Sequence, residues 1–387
     1  MGIIFYVAEV VTKGSMEMSV SDRLRYAREK ANLTLTDVKN STAIGESSLS
    51  DFENGKREPK LSQLQLLANL YHRSLSFLLS DAETANEVVL WRKRPAEGAE
   101  EIEGRFLMLC EQYHNLEVWN NSVTRPVLPE VDGDVERFGY NDAQELAYNV
   151  RNLLGLGSRP SFELLRVLEE YCGIKVFHER FEPTGTAAST RHVDFGAAIL
   201  LNSGNYRWRR NYDLAHELFH LLTWRLFRTG NGNTSTIASD WEEKLANCFA
   251  SNLLMPSESV STVLGRYEQD GKIPIEAFFD VARLFDVSVE AVLWRWHILS
   301  NKGKDRISET ENEIEQAKAL SRIFEQRTST DPLELPDRYR ALAVESLARG
   351  EMSVGRFAEY LGISRRKAMD YLEQEAGKIE EAEPALA

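Results

Sequence analysis

Two histidines four residues apart, His216 and His220, enclose a glutamate, Glu217, in the run YDLAHELFHLL. Apolar residues recur around them at helical spacing, so both imidazoles stand on one face and converge on one point. Such a pair binds a divalent metal, and a nitrogen-rich set suits zinc. Glu217 falls beside that point, where its carboxylate can take a proton from water. Two nitrogens do not complete a catalytic zinc site: a third protein ligand is needed, with one position left open. The chain holds only seven histidines. A chance H-E-x-x-H in it is on the order of one in a hundred, so the pattern is read as chemistry.

The third ligand is expected from a neighbouring helix over 237–255, where Leu245, Phe249 and Leu253 form an apolar stripe that can pack on the first. Glu243 and Asn247 are four apart and share a face, so Glu243 is the expected ligand and Asn247 the residue that positions a histidine from behind. Glu242 is the competing carboxylate, turned roughly a third of a turn from Glu243. Cys110, with His114 one turn on, is read as a possible inhibitory metal ligand: a thiolate in the open position would displace water and hold the site off. Packing on an apolar helix face is the ordinary alternative for a free cysteine.

The elements that must position these groups follow from pattern. The expected fold is α+β and mainly α, with five stretches. Residues 1–17 read as a flexible tail, and 18–82 as a set of short helices with Thr34 and Thr36 as N-cap candidates. Residues 83–135 read as a helical linker built on a helix over 101–119. Residues 136–300 hold two helices, strands over 173–177 and 197–201, long helices over 212–227 and 237–255, and a closing helix–Val-Ser–helix pattern. Residues 301–387 are a helical C-terminal region with a helix-turn-helix-like segment over 351–372 and an acidic tail. The strand over 197–201 is expected to be an edge along which an extended substrate pairs.

The residues 212–222, together with EKLANCFASNLLMP over 243–256, resemble the ImmA/IrrE family of metallopeptidases, which pairs an AHExxH helix with an ExxAN-FA-xxLLMP helix. The resemblance covers residues 136–300. It implies a zincin-like, gluzincin-type domain with His216, His220 and Glu243 as Zn2+ ligands and Glu217 as catalytic base. It further implies an endopeptidase that cleaves a partner transcriptional repressor and so switches on a stress or phage-defence response. Phe219 stands where many members carry glycine, and is expected to narrow the cleft.

Residues 18–82 resemble the Xre-type helix-turn-helix family through residues 35–38, Ile44, Leu49, Ser50, Glu53, the GKR run at 55–57, Pro59 and residues 64–68. The resemblance implies a third helix in the DNA major groove, with Glu46, Ser47, Ser48, Ser50 and Asp51 nearest base edges and Lys56 and Arg57 on phosphates. Arg23, Arg25 and Arg28 are expected to add to them. Glu46 and Asp51 on the same helix repel a phosphate backbone, which leaves protein contact or dimerisation as the other use of the module. Arg365, Arg366 and Lys367 offer a further basic face near the C-terminus.

A net charge of -14 excludes a protein that coats nucleic acid indiscriminately, though not one with a local DNA-reading module. Residues 3–11 are apolar but too short to span a bilayer and interrupted by Glu9; no membrane role is expected. Three widely spaced cysteines suggest no disulfide framework and point to the reducing cytoplasm. The reading is a zinc-dependent endopeptidase acting on a protein substrate. The alternative is a DNA-binding regulator or antitoxin that uses the peptidase fold for recognition.

Overall fold

Polar caps and left-handed residues stop the first helices early. The computed structural model describes residues 18–79, 88–124, 128–229, 236–270, 272–300, 307–324 and 332–371; the expected tail over 1–17 and the acidic C-terminal end lie outside them. Helix α1 (Val20–Lys30) starts at Ser19, whose hydroxyl accepts the Asp22 N–H while the Asp22 carboxylate accepts the Ser19 N–H. Helix α2 (Leu35–Thr42) repeats the device with Thr34 and Asp37 and ends at Ala43, φ +58°. Helix α3 (Glu46–Glu53) is followed by Gly55 at φ +66°, where an added Cβ would strain the backbone and meet Ser21 Oγ at 3.3 Å. Helices α4 (Leu61–Leu70) and α5 (Leu75–Leu79) complete the set. Leu24, Val38, Leu49, Phe52, Leu67 and Leu78 fill its core.

Strand β1 (Val89–Trp91) and helix α6 (Ala99–Trp119) follow, then α7 (Tyr140–Leu153) and α8 (Leu164–Glu170). Strands β2 (Lys175–Glu179), β3 (Ala187–His192) and β4 (Gly196–Asn202) complete a four-stranded sheet in the order β1-β3-β4-β2. Strand β4 runs parallel to β2 and antiparallel to β3, and β1 is antiparallel to β3. The strand read as an edge is therefore internal. Both sides of β4 are hydrogen-bonded to neighbours, so no backbone groups remain to pair with a substrate, and its AILL run is buried on both faces as befits a central strand.

Helix α9 (Arg207–Leu222) packs on β3 and β4, and α10 (Asp240–Leu254) packs on α9 and α7. Phe219, expected to narrow the cleft, is fully buried among Phe138, Phe227 and Phe249. Helix α9 starts earlier than expected because its first turn, RWRRN, is polar and shows no apolar period. It also stops earlier, at Thr223, after which a short π-helical turn covers Arg225–Thr229. Helices α11 (Ser257–Gly265), α12 (Ile275–Phe285), α13 (Val289–Leu299) and α14 (Ile307–Phe324) close this part, with Asp286 at φ +53° and the Ser288 N-cap making the expected Val-Ser break.

Helices α15 (Asp337–Ala348) and α16 (Val354–Tyr360) pack with α6 through Tyr339 on Tyr113 and Tyr360 on Trp119. Asn120 Nδ2, just past α6, donates to Leu342 O at 3.0 Å and Ser346 Oγ at 2.7 Å, while Arg338 pairs with Glu117 and donates to Ser122 O at 2.8 Å. The stretch read as a linker is thus divided. Residues 100–124 belong to one compact unit with the N-terminal helices and residues 335–371, whereas 88–99 belong to the other unit, with the sheet and α7 to α14. No helix among the described residues is long and apolar enough to cross a membrane.

Candidate metal centre

Three elements of the sheet-containing unit meet at one point. Helix α9 brings His216 and His220 with Glu217 between them, all buried. Helix α10 begins at Ser239, whose hydroxyl accepts the Glu242 N–H, and its first turn carries Asp240, Glu242 and Glu243, an arrangement the helix N-terminus favours. Glu243 Oε2 lies 3.2 Å from His216 Nε2, Glu243 Oε1 lies 3.4 Å from His220 Nε2, and the two Nε2 atoms are 3.2 Å apart. One ligand atom from each of the three residues lies within 4.8 Å of the others.

The opposite ring nitrogens are held from behind. His216 Nδ1 is 3.1 Å from Asn247 Oδ1, and His220 Nδ1 is 2.9 Å from Glu242 Oε1. Glu242, the competing carboxylate, is therefore turned behind His220 and not toward the Nε2 atoms. Arg228, from the π-helical turn, reaches both Glu242 oxygens at 2.7 and 2.9 Å. On the sheet side, Ser189 Oγ of β3 donates to Glu217 Oε2 at 2.7 Å. Glu217 Oε1 and Glu243 Oε1 are buried acceptors with no hydrogen-bond partner among the described residues. Converging N, N and O atoms, backing groups that turn both Nε2 atoms inward, and orphaned carboxylate oxygens together fit a zinc ion.

Burial brings His216 down to about 4, with Glu243 beside it opposing the fall. Burial pushes Glu217 up to about 7. Burial also works against a charge on His220, yet the carboxylates of Glu242, Glu243 and Glu217 overcome it and raise this imidazole to about 9. Burial alone would raise Glu243, but the two imidazoles hold it well below the usual carboxylate range. A sign follows for metal uptake. Above pH 5 His216 is already neutral and Glu243 already charged, while His220 keeps its proton until about 9 and must lose it to ligate. Zinc affinity should therefore rise with pH between about pH 5 and 8, as the His220 proton, and below about 7 that of Glu217, is displaced. Chelator competition across that range measures it, and a flat profile would count against these ligands.

The other expected residues lie elsewhere. Ser47 is exposed on α3, Ser48 and Ser50 are half-buried there, and Lys56 and Arg57 are exposed just after it. The arginines of α1 are turned to internal work. Arg23 is buried and donates to Phe77 O, Arg28 grips both Glu53 oxygens at 2.6 and 2.9 Å, and Arg25 donates to Glu53 O and Asn54 Oδ1. Lys39 lies 3.1 Å from Glu46, offsetting one of the acids at the start of α3. Cys110 is fully buried on α6, within the other unit, and is not part of the His216–His220–Glu243 group. Sequence reasoning did not find Ser189, Arg228 or Arg92, since no spacing links them to the histidine motif.

A family model, the IrrE N-terminal-like domain, matches residues 169–297, and a helix-turn-helix model matches residues 24–78. The HTH-type transcriptional regulator ImmR of Bacillus subtilis (strain 168) is 34% identical over 94 residues, covering 24% of this chain and 74% of that protein. Residues 169–297 belong to the ImmA/IrrE family, with an Xre-type helix-turn-helix ahead of them. The HTH-type transcriptional regulator DdrOP3 of Deinococcus deserti is 36% identical over 66 residues, 17% of this chain and 51% of that protein. A crystal structure of Bacillus thuringiensis PlcR with a peptide and DNA aligns at 14% identity over 94% of this chain and 98% of that one. Its TM-score of 0.16 is too low to carry an argument. The ImmA/IrrE match spans β2 to α13 and so contains His216, Glu217, His220, Glu242, Glu243 and Asn247; β1 and Arg92 fall outside it.

Proposed function

We propose that this ImmA/IrrE protein is a zinc-dependent endopeptidase whose substrate is a partner repressor, cleaved to switch on a stress or phage-defence response. The observation that carries the reading is the convergence of His216, His220 and Glu243 with Glu217 buried beside them. When bound, zinc would supply Lewis-acid chemistry, polarising a carbonyl and acidifying water. His216, His220 and Glu243 would hold it. Glu217 takes the proton from the attacking water and returns it to the leaving amine. Burial works against a standing charge on its carboxyl, which favours its carrying the proton between the two. Ser189 occupies Oε2 and so holds the carboxylate while Oε1 has no donor among the described residues. Three free cysteines are consistent with a reducing cytoplasm. Metal content by plasma mass spectrometry tests the reading. Near-stoichiometric zinc in the wild type, lost in a His216→Ala, His220→Ala double variant, is expected. A wild type that stays empty after zinc is added would defeat it.

A second reading, a DNA-binding regulator, is favoured by the helix-turn-helix with Ser47, Lys56 and Arg57 exposed on and after α3. The two matched relatives bear the names of transcriptional regulators. On this reading Lys56 and Arg57 meet phosphates. Replacing both with alanine should weaken duplex binding whatever its sequence and reduce the salt slope by about two. Fluorescence titration with pooled duplexes at low salt checks this. No binding by wild type at micromolar protein would remove the DNA-reader reading.

A further inference from the structure

We infer that Arg92 is a positioning residue of the zinc centre, one that fixes the Asn247 amide and, through it, which ring nitrogen His216 presents. The inference rests on the zinc reading above. Arg92 follows β1 directly, and its backbone is pinned to β3. Leu90 stands opposite Ser189, Trp91 opposite Ala188, the Arg92 N–H donates to Ala187 O at 3.3 Å, and the Lys93 N–H donates to Thr186 Oγ1 at 3.0 Å. Alternation along the strand sends Leu90 and Arg92 to one face. Leu90 on that face joins the core that contains α9.

From there the guanidinium spans both active helices. One terminal nitrogen donates to Asp213 Oδ1 on α9 at 3.2 Å and the other to Asn247 Oδ1 on α10 at 3.4 Å; Nε lies 3.6 Å from Glu243 Oε2. Asp213 is fully buried and also bonded by Asn205 Nδ2 at 3.0 Å and Arg209 Nε, so it is a fixed anchor.

A guanidinium donates and never accepts. The Asn247 atom that faces it must therefore be the amide oxygen. The same oxygen meets the Tyr212 hydroxyl at 3.0 Å and His216 Nδ1 at 3.1 Å. Tyr212 can donate or accept, so it would tolerate either orientation of the amide; Arg92 does not. With the oxygen held in place, His216 Nδ1 carries the hydrogen and Nε2 keeps its lone pair, directed at Glu243 and His220. Were the amide turned over, its NH2 would face Nδ1, the ring hydrogen would move to Nε2, and that nitrogen could not ligate. Arg92 also has an opposing influence, because a cation 3.6 Å from Glu243 repels a metal ion. The sign of the mutant effect decides between the two.

The test measures zinc affinity of the full-length protein by chelator competition, with thermal melts beside it. Arg92→Met removes every donor and should weaken zinc binding about ten- to a hundredfold, while Arg92→Lys, which still donates, regains most of it. In an Asn247→Ala background Arg92→Met should add nothing further, since its effect passes through that amide. Zinc binding as tight as wild type or tighter in a folded Arg92→Met variant would overturn the inference, as would full additivity with Asn247→Ala. A readout independent of that variant's folding is the 15N NMR of histidine-labelled wild type without zinc, with His216 assigned by its loss in His216→Ala. The hydrogen is expected on Nδ1, and an Nε2–H form would overturn the inference. If wild type takes up no zinc, the zinc reading fails and this one with it. If it binds zinc through His216 and His220 but ignores Arg92, only this one fails.

Discussion

Glu217→Gln should leave zinc in place and lower kcat/KM for peptide cleavage by about a hundred- to ten-thousandfold, the usual worth of a positioned acid–base group. Glutamine has the shape of glutamate, and its side-chain oxygen can still accept from Ser189 Oγ, the bond that holds the carboxylate against β3. What it loses is the capacity to take a proton. Glu217 is not one of the three converging ligand residues, so metal content should stay near one zinc per chain while turnover collapses. This separates the base from the ligands, because His216→Ala should lose both. The assay needs a folded candidate repressor and single-turnover cleavage followed by gel and mass spectrometry. Wild-type cleavage by a zinc-loaded Glu217→Gln protein would sink the assignment of the base.

Arg228→Met should destabilise the sheet-containing unit by about 3–5 kcal/mol, the cost of stranding one partner of a buried ion pair. Arg228 and Glu242 side chains are 5% and 3% exposed, and both Glu242 oxygens are bonded by the guanidinium. Without it, Glu242 keeps only the His220 imidazolium, which it must share with Glu243, so part of its charge goes uncompensated or it takes a proton. Pairing the change with Glu242→Gln should recover much of the stability, since the stranded charge is gone. Zinc affinity should not recover, because His220 Nδ1 then faces an amide where it had a carboxylate. Denaturant melts of the metal-free proteins measure the first effect. An Arg228→Met protein as stable as wild type would show that the pair contributes little.

The helix-turn-helix unit shows where local pattern is enough. Ser19 with Asp22, Thr34 with Asp37, and Gly55 after α3 are signals within a few residues of what they control, and the short helices appear where those signals stand. The histidine motif is of the same kind: four residues along a helix place two rings on one face whatever packs around it. Strands were harder. The AILL run of β4 announces itself, but β1 is three residues long and β3 runs AASTRH, and neither has a pattern that separates it from loop.

By itself, then, the sequence determined whatever depends on the period of one helix or the chemistry of one turn: the facing imidazoles, Glu217 between them, Glu243 and Asn247 on one face of the next helix, and the capped helices near the N-terminus. Tertiary structure alone decided how those pieces are turned and joined. Adjacent Glu242 and Glu243 differ in role because of the rotation of α10 about its own axis, which is set by packing against α7 and α9. Strand β4 lies inside the sheet because β2 and β3 both pair with it, a matter of strand order that no single strand encodes. Arg92 reaches Asp213 across 121 residues and Asn247 across 155. Contacts at such separation arise from the closure of the whole unit, and no sequence period carries them.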